Sequence, residues 1–151
     1  MLWKRNVGIC GIIVFLFIFL ATPVSGYAAD TTPQIITHVD EILKENPPKT
    51  GEKSQFIKIA EDDTVTLAIV RTIEGPGLKK HVHKTHDETI SVVRGSGQIF
   101  VNDKWIDVKP GSIHFNPMGA VHTSRPTGNE PFVIISIFIP ALKEPDRHFV
   151  E

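Results

Sequence analysis

The chain has almost no cysteine. Its one thiol, Cys10, lies in an apolar run near the amino terminus. The rest of the chain therefore offers no disulfide framework, no thiolate metal ligand and no cysteine nucleophile. Excess charge is missing too: 16 basic side chains stand against 17 acidic ones, a formal net charge of −1. With no basic cluster, nucleic acid and anionic lipid are poor partners. Internal repeats and low-complexity tracts are absent. About 120 residues follow the amino-terminal run, enough for one compact domain and too few for two.

Lys4 and Arg5 precede the apolar stretch from Val7 to Leu20, and small or polar residues follow from Ala21 to Gly26. That layout predicts a secretory signal peptide over residues 1–28, cleaved after Gly26 or Ala28. The run is shorter than the roughly 20 residues that span a bilayer comfortably. An uncleaved amino-terminal anchor is the rival reading. Either way the folded domain is expected outside the cytoplasmic membrane, periplasmic or extracellular, touching the membrane only through this segment. Gly8-Ile9-Cys10 does not fit a lipoprotein cleavage box, which would sit near the end of the apolar core.

Residues 29–50 read as a short helix and a linker. Thr32-Pro33 suits a helix start, and Ile35, Val39, Ile42 and Leu43 share one face before Asn46-Pro47-Pro48 ends the pattern. The helix is expected to pack on the main domain or on a neighbouring subunit; a loose tether is the alternative. From residue 51 to 151 strands dominate: Gln55–Ala60, Thr64–Ile73, the His81 segment, Glu88–Val93, Gln98–Val101, Trp105–Val108, Ile113–Asn116 and Phe132–Ile139. Asp62-Asp63 and Asn102-Asp103 supply turns. Many short strands broken by Gly and Pro predict an all-β sandwich or barrel. The last of these strands is apolar on both faces except at Ser136, so both its faces should be covered, one by barrel interior and one by a second sheet or subunit.

The chemistry concentrates in two stretches. The first runs Gly75, five residues, His81-Val82-His83, four residues, Glu88, six residues, Gly95. The second runs Gly111, five residues, Pro117-Met118-Gly119, two residues, His122. Strand side chains alternate, so His81 and His83 point the same way, about 7 Å apart. Three imidazoles and a carboxylate form the donor set of a divalent ion with one or two positions left open. Glycine and proline mark the bends that deliver these donors to one point.

In these two stretches the chain resembles the cupin superfamily, whose two-part signature it matches at every position named. The one departure is Pro126, where an Asn commonly closes the second part. The resemblance covers nearly all of the chain beyond the amino-terminal run, and about 15 residues separate the two parts, as in minimal single-domain cupins. It implies a double-stranded β-helix, or jelly-roll barrel, holding one metal through His81, His83, Glu88 and His122. The ion's identity stays open among Fe, Mn, Zn, Ni and Cu. A small-molecule metalloenzyme of dioxygenase, isomerase or decarboxylase type is one reading, with Glu88 alternating between ligand and proton acceptor. The other is a non-catalytic periplasmic module that binds metal or ligand. Small cupins often dimerise by sheet packing, so a homodimer is expected.

Other polar residues are ambiguous. His86 reads as a solvated loop histidine and Asp146-Arg147-His148 as a charged tail on the outer surface. Among Arg71, Arg94 and Arg125, Arg71 is the strongest candidate to hold a substrate carboxylate, and Arg94 reads as solvent-facing. His114 lies on the face opposite Ile113 and Phe115, and alternation alone does not say which face is inside. His38 falls in the expected helix without a partner.

Overall fold

The computed structural model describes residues 34–150. The expected signal segment, Cys10 and the helix start at Thr32-Pro33 lie outside the described residues. Among the described residues no helix is long and apolar enough to cross a membrane.

Among the described residues, ten strands follow one helix. The helix is α1 (Val39–Glu45), and the strands are β1 (Ser54–Glu61), β2 (Thr66–Thr72), β3 (His81–Val82), β4 (Asp87–Arg94), β5 (Gly97–Val101), β6 (Lys104–Val108), β7 (Ile113–Asn116), β8 (Thr123–Pro126), β9 (Phe132–Ile139) and β10 (His148–Phe149). One sheet has the order β1-β2-β9-β4-β7. The other side of the barrel comprises β6-β5-β8 and the pair β10-β3. These two pieces meet at His81 and His122, which exchange both backbone hydrogen bonds at 3.0 Å. All named pairs are antiparallel.

The apolar cores follow from strand alternation. Inside the barrel Val70, Ile90, Val92, Ile99, Phe132 and Ile134 form one buried cluster. A second cluster lies on the outer face of the five-stranded sheet, where Ile69 and Val133 meet Leu43 of α1, flanked by Val39, Ile42 and Ile135. The second cover over β9 is thus the chain's own helix, at one end of the strand. At the other end the outward residue Ile139 is 55% exposed.

The helix begins later than the sequence pattern predicts. Residues 34–38 are not helical, and Val39 follows His38, which caps the helix in an extended conformation without a side-chain hydrogen bond. Three β-branched residues in a row, Ile35-Ile36-Thr37, disfavour a helical turn. Ile36 is 96% exposed, so no packing offsets that preference. His38 is accordingly a cap and not an interior helix residue.

Two strands escaped the sequence pattern: β8, which reads as Thr123-Ser124-Arg125-Pro126, and β10. Neither carries an apolar alternation. Their pairing partners supply the stabilisation, Gly97–Phe100 for β8 and His81-Val82 for β10. The Asn102-Asp103 turn behaves as expected, with φ of 48° and 62° in the two-residue loop between β5 and β6.

Candidate metal centre

Each motif residue is delivered by a definable backbone feature. Gly95 ends β4 at φ 76°, and a Cβ there would stand 2.6 Å from the carbonyl oxygen of Pro131, so only glycine fits. Gly119, at φ 82°, donates its N–H to the carbonyl of His83 at 2.7 Å. Beside it, Met118 N–H donates to Asp87 Oδ1 at 2.8 Å and Ala120 N–H to Pro117 O at 3.0 Å. This locked turn carries the chain back beside β3, where His122 pairs with His81.

The three imidazoles converge. One ligand nitrogen from each of His81, His83 and His122 lies within 4.8 Å of the other two, and all three residues are buried. Ring centroids are 4.4 Å apart for His81–His122 and 5.2 Å for the other two pairs. The Nδ1 atoms face backbone carbonyls: His81 to Lys79 O at 2.8 Å, His83 to Asp146 O at 2.8 Å and His122 to Ala120 O at 2.9 Å. A carbonyl only accepts, so each Nδ1 carries a proton and, in the neutral ring, Nε2 keeps its lone pair. Such an outer hydrogen bond fixes both tautomer and ring orientation in metal-ligating histidines.

Glu88 on β4 lies beside this triad, buried, with Oε2 3.0 Å from Nε2 of His122 and 3.6 Å from Nε2 of His83. Despite that proximity Nε2 of His122 has no hydrogen-bond partner among the described residues, since two acceptors cannot bond each other. A buried imidazole nitrogen whose lone pair meets no donor is what a cation would satisfy. Donors about 2.1 Å from a common ion stand about 3.0–3.4 Å apart, and the Glu88 separations bracket that range. The residues therefore fit a divalent ion, and the three histidines can hold one.

The electrostatics agree. Burial lowers the pKa of His81 to about 4, reinforced by the positive charges of His122, Arg147 and His83 against the opposing Lys79 carbonyl bond. Burial also pushes His83 down, but the nearby Glu88 carboxylate and the Asp146 carbonyl outweigh it and the net shift is upward. For Glu88, burial raises the pKa while the adjoining His122 and His83 imidazoles outweigh it, so the carboxyl is held well below its usual range. The site thus keeps an ionised carboxylate beside the three imidazoles, with His81 held neutral.

Other sequence readings need correction. His86 is buried at 5% exposure, its Nδ1 2.7 Å from Asp146 Oδ2 and its Nε2 3.1 Å from the carbonyl of Ala141. Asp146 is buried too, and its Oδ2 also accepts from Thr85 N–H and Thr85 Oγ1 at 2.7 Å each. The carboxyl-terminal segment is therefore no outer tail: it docks against the loop between His83 and Glu88. Burial raises the Asp146 pKa, but the bonds from His86 and Thr85 win and hold it well below the carboxylate range.

Arg71 is not a substrate ligand. Its guanidinium is directed at Gln55 and at the Asn46 and Leu43 carbonyls, which ties β2 to the end of α1. Arg94 pairs with Asp40 of α1, and Arg125 bonds Gln98 and stacks over Trp105 at 4.0 Å. His114 is half-buried and reaches Asn116 Oδ1, while the Asn116 amide points to Glu88 Oε2 at 3.5 Å. Its face is the inner one, since Ile113 and Phe115 are exposed.

Two spaces adjoin the histidines. A cavity of about 20 Å³ inside the barrel is bounded by His81, Glu88 and His122 together with Val70, Ile90 and Ile134. A larger open cleft of about 350 Å³ has His83, Phe56, Phe138, Leu142 and Pro145 in its walls. Arg147 lines both. Sequence reasoning missed Asp146 and Arg147, because nothing local in a polar tail signals that it folds back.

With this geometry in place, comparison with known proteins decides the family. The family described as "Cupin domain" matches residues 69–138, the span that holds His81, His83, Glu88 and His122. An uncharacterized protein of Aquifex aeolicus (strain VF5) is 32% identical over 122 residues, covering 80% of this chain and 96% of that one. The chain belongs to the cupin superfamily. Among solved structures, this cupin resembles an uncharacterized conserved protein with a double-stranded β-helix domain from Klebsiella pneumoniae, at TM-score 0.66 and 24% identity over 78% of this chain and all of that one. It also resembles a polyketide cyclase from Streptomyces resistomycificus, at TM-score 0.58 and 18% identity over 66% of this chain and 72% of that one. At these identities the likeness establishes the fold.

Proposed function

We propose that this cupin is an exported metalloenzyme acting on a small molecule, with one divalent ion held by His81, His83 and His122 and with Glu88 as fourth ligand or proton acceptor. The observation that carries this reading is the set of three Nδ1–H···O=C bonds, which aims three Nε2 lone pairs at one point. A bound divalent ion supplies Lewis acidity at an open position. The chain's own residues would do the rest: the carbonyls of Lys79, Asp146 and Ala120 hold the rings, and the buried walls exclude bulk water. The ionised Glu88 carboxylate stands ready to take a proton at Oε2. The open cleft reaching His83 supports access for a small substrate. The size of the inner cavity supports the alternative, a binding module that holds metal without turnover, because about 20 Å³ admits an ion or a water and little more.

Export rests on the basic and apolar layout of residues 1–28. A homodimer is supported by the outer face of the five-stranded sheet. There Phe115 stands in one cross-strand row with Thr89, Ile137 and Leu67, and Ile113 in the next with Ser91, Ile135 and Ile69. Ile113 is 76% and Phe115 56% exposed, so an apolar patch continues beyond the edge of α1.

The test is elemental analysis of the mature protein, purified after export and without a metal-binding tag, beside His83→Ala. One equivalent of metal in the wild type and most of it lost in the variant is the expected result. Equal metal content in both would overturn the ligand assignment. Fe, Mn or Cu would direct the search to oxygen uptake, and Zn or Ni to isomerisation, hydrolysis or binding.

A further inference from the structure

The cleft outside the barrel and the cavity inside it share one residue, Arg147. The three histidines divide between the two spaces: His83 forms part of the cleft wall, while His81 and His122 bound the inner cavity. Arg147 therefore stands where a molecule entering the cleft would approach the ion site.

The other charges of the cleft are largely committed. Lys58 pairs with Glu61 at 2.7 Å, and Lys143 lies 3.5 Å from Asp63 and 3.9 Å from Glu61. The Asp146 carboxylate is engaged by Thr85, His86 and His148. Glu144 sits on the exposed part of the wall and does not reach the inner cavity. Among the described residues Arg147 has no ion-pair partner, and it is exposed. The apolar walls include two aromatic rings, Phe56 and Phe138, with centroids 6.1 Å apart.

We infer that this cleft is the ligand site and that it takes a small carboxylic acid, its carboxylate held by Arg147 and its apolar body set against Phe56 and Phe138. A guanidinium presents its donors in a planar fork that matches a carboxylate, and among the described residues no other one bordering the inner cavity offers a free cationic fork. About 350 Å³ suits a ligand of roughly drug-fragment size with a few convergent polar groups. Held there, the acid's carboxylate end lies on the side of the cleft nearest the histidines. The inference rests on the metal-site reading above, because it names the substrate class of that site.

The experiment titrates benzoate, and its neutral counterpart benzamide, into wild type, Arg147→Gln and Arg147→Lys by calorimetry, with metal content measured for each protein and circular dichroism as the folding check. Benzoate should bind the wild type at least tenfold more tightly than benzamide does. Arg147→Gln should lose that preference while keeping the wild-type metal content, and Arg147→Lys should recover part of it, since the charge remains without the fork. Equal benzoate affinity in wild type and Arg147→Gln would overturn the inference, as would benzamide binding as well as benzoate or a metal-loaded wild type that binds no benzoate at millimolar concentration. If the wild type takes up no metal, the metal-site reading fails by itself, and the same titrations on the metal-free protein decide the role of Arg147.

Discussion

Replacing Asp146 by alanine tests whether the carboxyl-terminal segment organises the metal centre. The carboxylate accepts from Thr85 N–H, Thr85 Oγ1 and His86 Nδ1, each at 2.7 Å, while its second oxygen lies 2.9 Å from His148 Nε2. Truncation leaves the Thr85 amide and the His86 ring without this acceptor. A buried donor left unsatisfied costs about 1–3 kcal/mol. The amide of Thr85 lies near solvent and falls at the low end, and His86, 5% exposed, lies at the high end. The expected loss of stability is about 2–4 kcal/mol. A second effect runs through the backbone, because the Asp146 carbonyl fixes Nδ1 of His83. Loosening such an outer hydrogen bond typically weakens metal binding by about 10- to 100-fold. Urea unfolding of the metal-free protein measures the first effect, and competition with a chromophoric chelator measures the second. Asp146→Asn should lose less stability, since its amide oxygen still accepts from Thr85 N–H. If Asp146→Ala kept both the wild-type midpoint and the wild-type metal affinity, the docked segment would have no part in the site and the reasoning would fail.

Further outcomes follow from the same geometry. In chelator-treated protein, His81 has a folded pKa of about 4 against 6.5 for the free side chain. The unfolded chain therefore binds more protons between those values, so stability should rise with pH from about 4 to 6.5; His81→Gln should flatten this slope in urea midpoints. Ile134→Ala removes a side chain that is 3% exposed and packed in the inner cluster. It should cost about 2–5 kcal/mol by calorimetric or urea unfolding, and a loss under 1 kcal/mol would contradict the packed core. Ile113→Lys places a charge in the exposed outer patch, so light scattering should show a monomer where the wild type is a dimer, with the fold retained. A monomeric wild type would end the dimer proposal.

The clustered motif residues were legible because their information is local. Strand alternation places His81 and His83 on one side, and the glycine and proline positions mark turns whose backbone angles few other residues adopt. The long strands β1, β2, β4 and β9 were legible for a similar reason, since β-branched and apolar residues dominate them. The helix start was misread because Pro33 and Ile35 satisfied a spacing rule while Ile35-Ile36-Thr37 opposed it, and no packing decided in favour of the helix. Arg71 looked like a substrate ligand because an arginine in an apolar strand demands a partner. That partner proved to be the end of α1, about 25 residues earlier in the chain.

By itself the sequence determined the all-β barrel, the three histidines and Glu88, because these depend on side-chain period and turn chemistry within short windows. Only the tertiary structure decided which face of β7 carries His114 inward, which arginines are structural, and that the segment around Asp146 folds back some 60 residues to hold His83, Thr85 and His86. Long-range hydrogen bonds of this kind leave no periodic trace. Their donors and acceptors are ordinary polar residues, and only the closed barrel brings them within 3 Å of one another.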